Sequence, residues 1–274
     1  MVLVVANIKR VFLNYQIKLQ KSIVFLRFCF LHRMNLVIDI GNTKIKVAVF
    51  ELDNSELCEV FDEHHFLERL KEIIKTYKIS QCILSSVKKT KQEYIDELRK
   101  IPIFIQLDGD TKVPFKNLYK TPHTLGVDRI ALVAASVSLY PNRNCLVIDA
   151  GTCITYDFIN SNNEYIGGSI SPGIDMRYKS LHNYTSKLPE LTKNSEFQLT
   201  GTSTSTSIHS GVINGIVNEI EGIIGQYQQD FRDLTVVLTG GDTKFLSKQL
   251  KNGIFANQNF LLHGLNKILT FNNQ

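Results

Sequence analysis

The string Leu-Val-Ile-Asp-x-Gly occurs twice in this chain, at 36–41 and again at 146–151. In each copy a short apolar stretch ends in an aspartate, Asp39 or Asp149. It then turns through Gly-Asn-Thr or Gly-Thr-Cys and resumes as a second apolar run, at 44–50 or 154–159. That is the pattern of a tight hairpin between two strands. A glycine in such a turn lets backbone N–H groups approach an anion closely. The aspartate can hold Mg²⁺ or its waters, threonine hydroxyls can donate to phosphate oxygens, and Lys44 and Lys46 add positive charge nearby. A chain that carries two such hairpins reads as a duplication, with the hairpins able to face one another across a cleft.

The rest of the pattern supports the duplication. After the first hairpin the spacing predicts a strand at 59–66, then an amphipathic helix with Leu67, Leu70, Ile74 and Tyr77 on one face. A strand at 82–87, a charged helix at 92–100 and a strand at 103–107 follow. The order is β-β-β-α-β-α-β. The second half repeats it with strands at 145–150, 154–159 and 165–170, helices at 175–183 and 207–229, a strand at 235–239, a helix at 243–250 and a last strand at 259–263. An alanine-rich helix at 125–139 joins the halves. The domain reading is therefore a leader at 1–33 outside the fold, a first unit at 34–124, a connecting helix at 125–144 and a second unit at 145–274.

At 274 residues and 43% apolar content the chain can bury a core in each of two modest domains. The formal charge of +5 is carried by residues 1–33, which hold six Lys and Arg and no acid; the remainder has 25 bases against 26 acids. A near-neutral body does not support a nucleic-acid footprint. The leader's apolar clusters are broken by Lys18, Lys21 and Arg27, so none approaches the ~20 residues of a membrane span, and no secretory cleavage pattern is clear. The simplest account is that Met34 is the initiator. Five cysteines without a Cys-x-x-Cys pair read as reduced thiols in a cytoplasmic protein. The histidines lack metal-binding spacing, and adjacent His64 and His65 would point to opposite faces of a strand.

Four further segments bear on a site. Gly126-Val127-Asp128-Arg129 opens the connecting helix, where Asp128 either complements the helix dipole or presents a carboxylate to an incoming substrate hydroxyl. Thr239-Gly240-Gly241-Asp242 sits between a strand and a helix. Its glycines either admit a nucleotide base or ribose or serve the turn alone. The segment 167–173 shapes a small-molecule pocket or only turns the chain. The Ser/Thr run at 200–207 reads as a loop that supplies the cap of the next helix. Within that helix Gly211, Gly215, Gly222 and Gly225 each cost about 1 kcal/mol relative to alanine, which close approach of another helix or chain would rationalise.

Together, Asp39-Ile40-Gly41-Asn42-Thr43-Lys44-Ile45-Lys46, Tyr119-x-x-Pro122-x-x-Leu125-Gly126-Val127-Asp128-Arg129, Asp149-Ala150-Gly151-Thr152-x-x-Thr155-x-Asp157 and Gly167-Gly168-x-Ile170-x-Pro172-Gly173 resemble the type III pantothenate kinases. The likeness runs from Met34 into the C-terminal region. The resemblance implies an α/β protein of duplicated actin-like (ribonuclease H-like) domains with an interdomain nucleotide cleft, in the acetate and sugar kinase/Hsp70/actin superfamily. It implies phosphorylation of pantothenate by ATP to 4′-phosphopantothenate in a homodimer that needs Mg²⁺ and a monovalent cation, K⁺ or NH₄⁺.

The resemblance assigns ATP to Asp39, Ile40, Gly41, Asn42, Thr43, Lys44, Ile45, Lys46 and Thr152. It gives pantothenate to Tyr119, Gly126, Val127, Asp128, Arg129 and Thr204, with Asp128 as the base, and the monovalent cation to Asp149. Asp39 is the better placed of the two hairpin aspartates for Mg²⁺. Val127 and Cys153 stand where alanine is commoner, and within the Ser/Thr run Thr202 or Thr206 could replace Thr204. Such chemistry is largely positioning and charge stabilisation, with a carboxylate to orient and finally deprotonate the attacking hydroxyl. Arg129, a planar multi-donor cation, could engage the pantothenate carboxylate or a phosphate. The rival readings are another small-molecule kinase of the superfamily and a nucleotide-binding regulatory protein with little turnover.

Overall fold

A computed structural model of the chain describes residues 34–273; the expectations for the leader at 1–33, and for Cys29 within it, lie outside the described residues. Strand β1 (Met34–Ile40) pairs antiparallel with β2 (Ile45–Glu51), so that Asp39 stands opposite Lys46. β3 (Asn54–Phe61) extends this meander, and a single 3-10 turn (Glu63–His65) leads into helix α1 (Phe66–Tyr77). β4 (Ile79–Ser86) returns parallel to β1, and α2 (Gln92–Leu98) and β5 (Ile103–Gln106) complete the unit. Its strand order is β3-β2-β1-β4-β5.

A short strand β6 (Lys116–Asn117) and helix α3 (Val127–Leu139) connect to the second unit. That unit runs β7 (Cys145–Ala150), β8 (Cys153–Ile159), β9 (Glu164–Pro172), α4 (Ile174–Asn183), α5 (Thr204–Asp230), β10 (Thr235–Thr239), α6 (Thr243–Leu246) and β11 (Phe255–Ala256). Its order, β11-β10-β7-β8-β9-β6, reproduces the first sheet strand for strand and adds β6 at one edge. The expected duplication is thus present at the level of strand pairing.

Three apolar clusters hold the layers. α1 and α2 pack Phe66, Leu70, Ile73 and Leu98 on the outer face of the first sheet. On the outer face of the second, α4 and α5 pack Tyr178, Ile213, Ile216, Ile220 and Ile224. Between the sheets lies a layer of two helices: α3, with residues 130–135 all buried, and a terminal helix α7 (Phe260–Phe271). Both α3 and α7 are apolar nearly all round, as a helix covered on both sides must be.

Several expected boundaries move. The strand placed at 59–66 ends at Phe61, because Phe66, Leu70 and Ile73 already follow a helical period. His64 and His65 therefore lie exposed in the 3-10 turn and not on a strand. The strand placed at 259–263 is the start of α7, since the buried Phe260, Leu261, Leu265, Ile268 and Leu269 repeat at helical spacing over a longer window. The two-residue β11 takes the sheet position assigned to it. The helix placed at 243–250 stops at Leu246. α5 begins at Thr204, not 207, because Ser203 and Thr206 form a reciprocal capping box; the second half of the Ser/Thr run is helical. Among the described residues no helix is long and apolar enough to cross a membrane.

Candidate active site

Both repeated aspartates stand at strand ends, one residue before a tight turn. Gly41 closes the first turn by donating its N–H to Lys44 O at 3.0 Å, and Gly151 closes the second by donating to Cys153 O at 2.9 Å. The glycine amides are therefore engaged within the turns, and the first turn leaves the N–H groups of Asn42 and Thr43, both exposed residues, without a partner among the described residues. Ile40 and Ile45 bury their side chains in the first core, so any contact they make with a ligand is through backbone.

The lysines divide. Lys46, across the ladder from Asp39, lowers the proton affinity of both Asp39 and Asp149, so its charge reaches both hairpins. Lys44 pairs instead with Asp62 at 2.6 Å, both largely in solvent. Burial pushes the Asp39 carboxyl up to about 6, against the pull of Lys46 and with a smaller push from Asp128. Burial likewise pushes Asp149 up to about 7, with Lys46 opposing and Asp128, Asp39 and Asp157 adding repulsion. The charges of Lys46 and Asp128 thus act on the aspartates of both hairpins, although the carboxylates do not converge on one point.

Asp128 lies in the first turn of α3. Its Oδ1 accepts the Arg129 N–H at 2.8 Å, and a Cβ on Gly126 would collide with that same oxygen. Glycine at 126 therefore leaves the carboxylate its place.

Arg129 turns away from Asp128 and is 5% exposed. Its Nε donates to Asp157 Oδ1 at 2.8 Å, its Nη2 lies 2.8 Å from the same oxygen, and Tyr165 Oη donates to that oxygen at 2.7 Å. Its guanidinium carbon sits 5.6 Å from the centre of the Tyr119 ring, which stacks on Tyr165 at 6.0 Å. Gly167 lies against the Tyr119 ring and adopts φ +135°, a backbone conformation that favours glycine. Tyr119, Gly167 and Gly168, with Leu118, Lys120, Thr121 and Ile166, line a cavity of about 540 Å³. Residues 167–172 thus belong to a strand that walls a pocket and do not form a turn.

On the far side of Asp149, Gly240 adopts φ +94° and a Cβ there would collide with the Asp149 carboxylate and Ala150 O. Geometry alone accounts for Gly240, whereas Gly241 has open space over it. Thr152 is exposed at the tip of the second turn and accepts the Gly173 N–H through its carbonyl. Thr204 is exposed at the head of α5 with its hydroxyl unbonded; Thr206 instead accepts the Thr202 and Ser203 N–H groups at 2.9 and 2.8 Å.

Three participants had no assigned role in the sequence reading. Asp157 lies inside a motif, but its pairing with Arg129 is visible only in three dimensions. Ser85 and Thr239 stand beside Asp39 and Asp149 in the parallel registers of their sheets, and both are buried with hydroxyls that have no partner among the described residues. Their signal is the duplication itself, since each is the residue at the same place in its repeat.

A family model described as type III pantothenate kinase matches residues 35–226. A type III pantothenate kinase of Christiangramia forsetii is 53% identical over 242 residues, 87% of this chain and 99% of that protein. One of Phocaeicola vulgatus is 44% identical over 88% of this chain and 100% of its own. Among solved structures, a conserved putative Baf family transcriptional activator from Campylobacter jejuni superposes with TM-score 0.58 at 24% identity, covering 87% of this chain and 98% of its own. A putative N-acetylmannosamine kinase from Listeria monocytogenes superposes with TM-score 0.52 at 10% identity, over 88% and 100%. These two likenesses bear on fold alone, and that fold is the duplicated actin-like one.

Proposed function

The chain belongs to the type III pantothenate kinase family, and we propose that its paired hairpins carry out that family's reaction with Asp128 as the base. The protein phosphorylates pantothenate with ATP to 4′-phosphopantothenate, the first step of coenzyme A biosynthesis. The observation that carries the assignment is the place of Asp128: a carboxylate given room by Gly126 in the first turn of α3, whose charge acts on both hairpin aspartates.

In this reading the exposed Asn42, Thr43 and Thr152 groups and Lys46 hold the ATP phosphates. Asp128 orients the acceptor hydroxyl in line with the γ-phosphoryl group and takes its proton as the new P–O bond forms and ADP leaves. Lys46, whose charge reaches both Asp39 and Asp149, offsets charge that builds on the transferred group. Tyr119, a wall of the cavity, and Arg129 beside its ring hold the body of pantothenate.

The residues present fit the ions expected here. Asp39 and Asp149 are hard oxygen donors, and the unpartnered Ser85 and Thr239 hydroxyls beside them can fix each carboxylate in one orientation. Among the described residues no three ligating side chains converge, so the protein would supply only part of any shell and leave the rest to phosphate and water. Asp39 would hold Mg²⁺, which when bound neutralises phosphate charge, and Asp149 would hold K⁺ or NH₄⁺. A homodimer completes the reading, with the glycine face of α5 as interface and Thr204 of one subunit serving the acceptor pocket of the other.

The test is ADP release measured with and without pantothenate, in wild type and Asp128→Asn. Pantothenate-dependent turnover that drops about 10²-fold or more in kcat is expected, the usual contribution of a positioned general base. A variant within a few-fold of wild type would remove Asp128 from that role.

A further inference from the structure

We propose that Asp157 is a positioning residue for acceptor choice, holding Arg129 so that its remaining N–H groups read the carboxylate end of the acceptor. This rests on the pantothenate kinase reading above and extends it to a residue that touches neither substrate.

A guanidinium carries five N–H donors in a fixed plane. Here a single one, on Nε, makes a well-formed hydrogen bond to a side-chain acceptor, Asp157 Oδ1 at 2.8 Å. Nη2, 2.8 Å from the same oxygen, is buried and its N–H groups are not aligned on any acceptor. Asp157 itself is fully buried and saturated: Oδ1 also accepts from Tyr165 Oη at 2.7 Å, and Oδ2 accepts from Thr155 Oγ1 at 3.2 Å. It therefore cannot swing to satisfy more of the guanidinium.

A buried ion pair of this kind is a poor device for stability, since an apolar pair of like volume commonly does as well. What it achieves is orientation. Asp157 and the Tyr165 hydroxyl fix one edge of the plane, and Tyr119 lies beside the guanidinium at 5.6 Å as a wall of the 540 Å³ cavity. A buried cation with donors left over, 5.6 Å from a ring that walls such a cavity, calls for a planar anion, and a carboxylate matches the fork in two places. The free carboxylate of pantothenate meets that description, and Arg129's contact with the cavity wall favours the acceptor over the ATP phosphates.

The experiment is steady-state kinetics of wild type, Asp157→Asn and Tyr165→Phe with pantothenate and with pantothenyl alcohol, in which CH₂OH replaces the carboxylate. Asp157→Asn is expected to raise KM for pantothenate about tenfold or more, as befits loss of a charge-assisted hydrogen bond. It should leave KM for ATP within about twofold and narrow the preference for pantothenate over the alcohol by about tenfold. Tyr165→Phe, which keeps the ring stack and loses one hydrogen bond, should move the same ratio in the same direction by about threefold. If Asp157→Asn does not fold, Tyr165→Phe decides alone. Equal losses on both acceptors, or a wild type indifferent to the carboxylate, would overturn the proposal. A wild type that phosphorylates neither acceptor would instead overturn the reading on which it rests.

Discussion

At the scale of single residues the cleft is a place of stored charge. Asp39 at about 6 and Asp149 at about 7 both lie above the ordinary 3.8, with burial as the main cause. The folded protein therefore keeps protons that the unfolded chain releases above about pH 4. With respect to these groups stability is greatest below that point and falls as pH rises toward about 7. Asp149→Asn should consequently raise the melting temperature of the ligand-free protein at pH 8 and do so much less at pH 5. The gain should be on the order of 1–3 kcal/mol, and a shift of equal size at both pH values would contradict it. The same variant should lose monovalent-ion activation. Wild-type rates in potassium buffer should exceed those in sodium-only buffer, and equality would remove Asp149 from the ion site. Asp39, Asp128 and Asp149 were legible because each stands at a fixed offset from a glycine in a local motif. Asp157's partner was not, since Arg129 lies 28 positions away and only the packed sheet brings the two together.

At the scale of elements, α7 carries the clearest lesson. It belongs to the C-terminal stretch yet packs on α3 and on strands of the first sheet. A chain of buried amides ties it there: Asn35 Nδ2 donates to Asn266 Oδ1 at 2.6 Å, Asn266 Nδ2 to Leu52 O at 2.7 Å, and Asn273 Nδ2 to Gln81 Oε1 at 2.9 Å. α7 meets α3 where Gly264 faces the Ala131 carbonyl, with no room for a Cβ. Gly264→Ala should therefore destabilise the protein by about 2–3 kcal/mol despite alanine's better helix propensity, because the crowded atom is backbone. A urea midpoint equal to or above wild type would show that the helices can move apart freely. The last strand expected at 259–263 failed for a related reason. The short apolar run Phe260-Leu261-Leu262 suits a buried strand or a buried helix equally, and the choice is made by what covers it.

At the scale of the whole molecule, α5 presents Gly211, Gly215 and Gly222 on an exposed face, and an added Cβ at any of them meets nothing in the chain. Gly215→Leu should hence leave the subunit folded while blocking close approach of a second helix. In the proposed dimer, light scattering should report monomer for this variant and KM for pantothenate should rise, as it should for Thr204→Ala. An unchanged dimer would move the interface elsewhere. Taken alone, the amino-acid sequence determined the duplication, most strands, the connecting helix and the aspartates at the strand ends, because all of these are written in spacings of two to four residues or in motifs of fewer than ten. Only the tertiary structure decided that α7 crosses back between the sheets, that Lys46 and not Lys44 acts on both hairpin aspartates, and that Asp157 holds Arg129. Those outcomes depend on which buried surfaces and charges find each other across long stretches of chain, and local periodicity carries no record of that pairing.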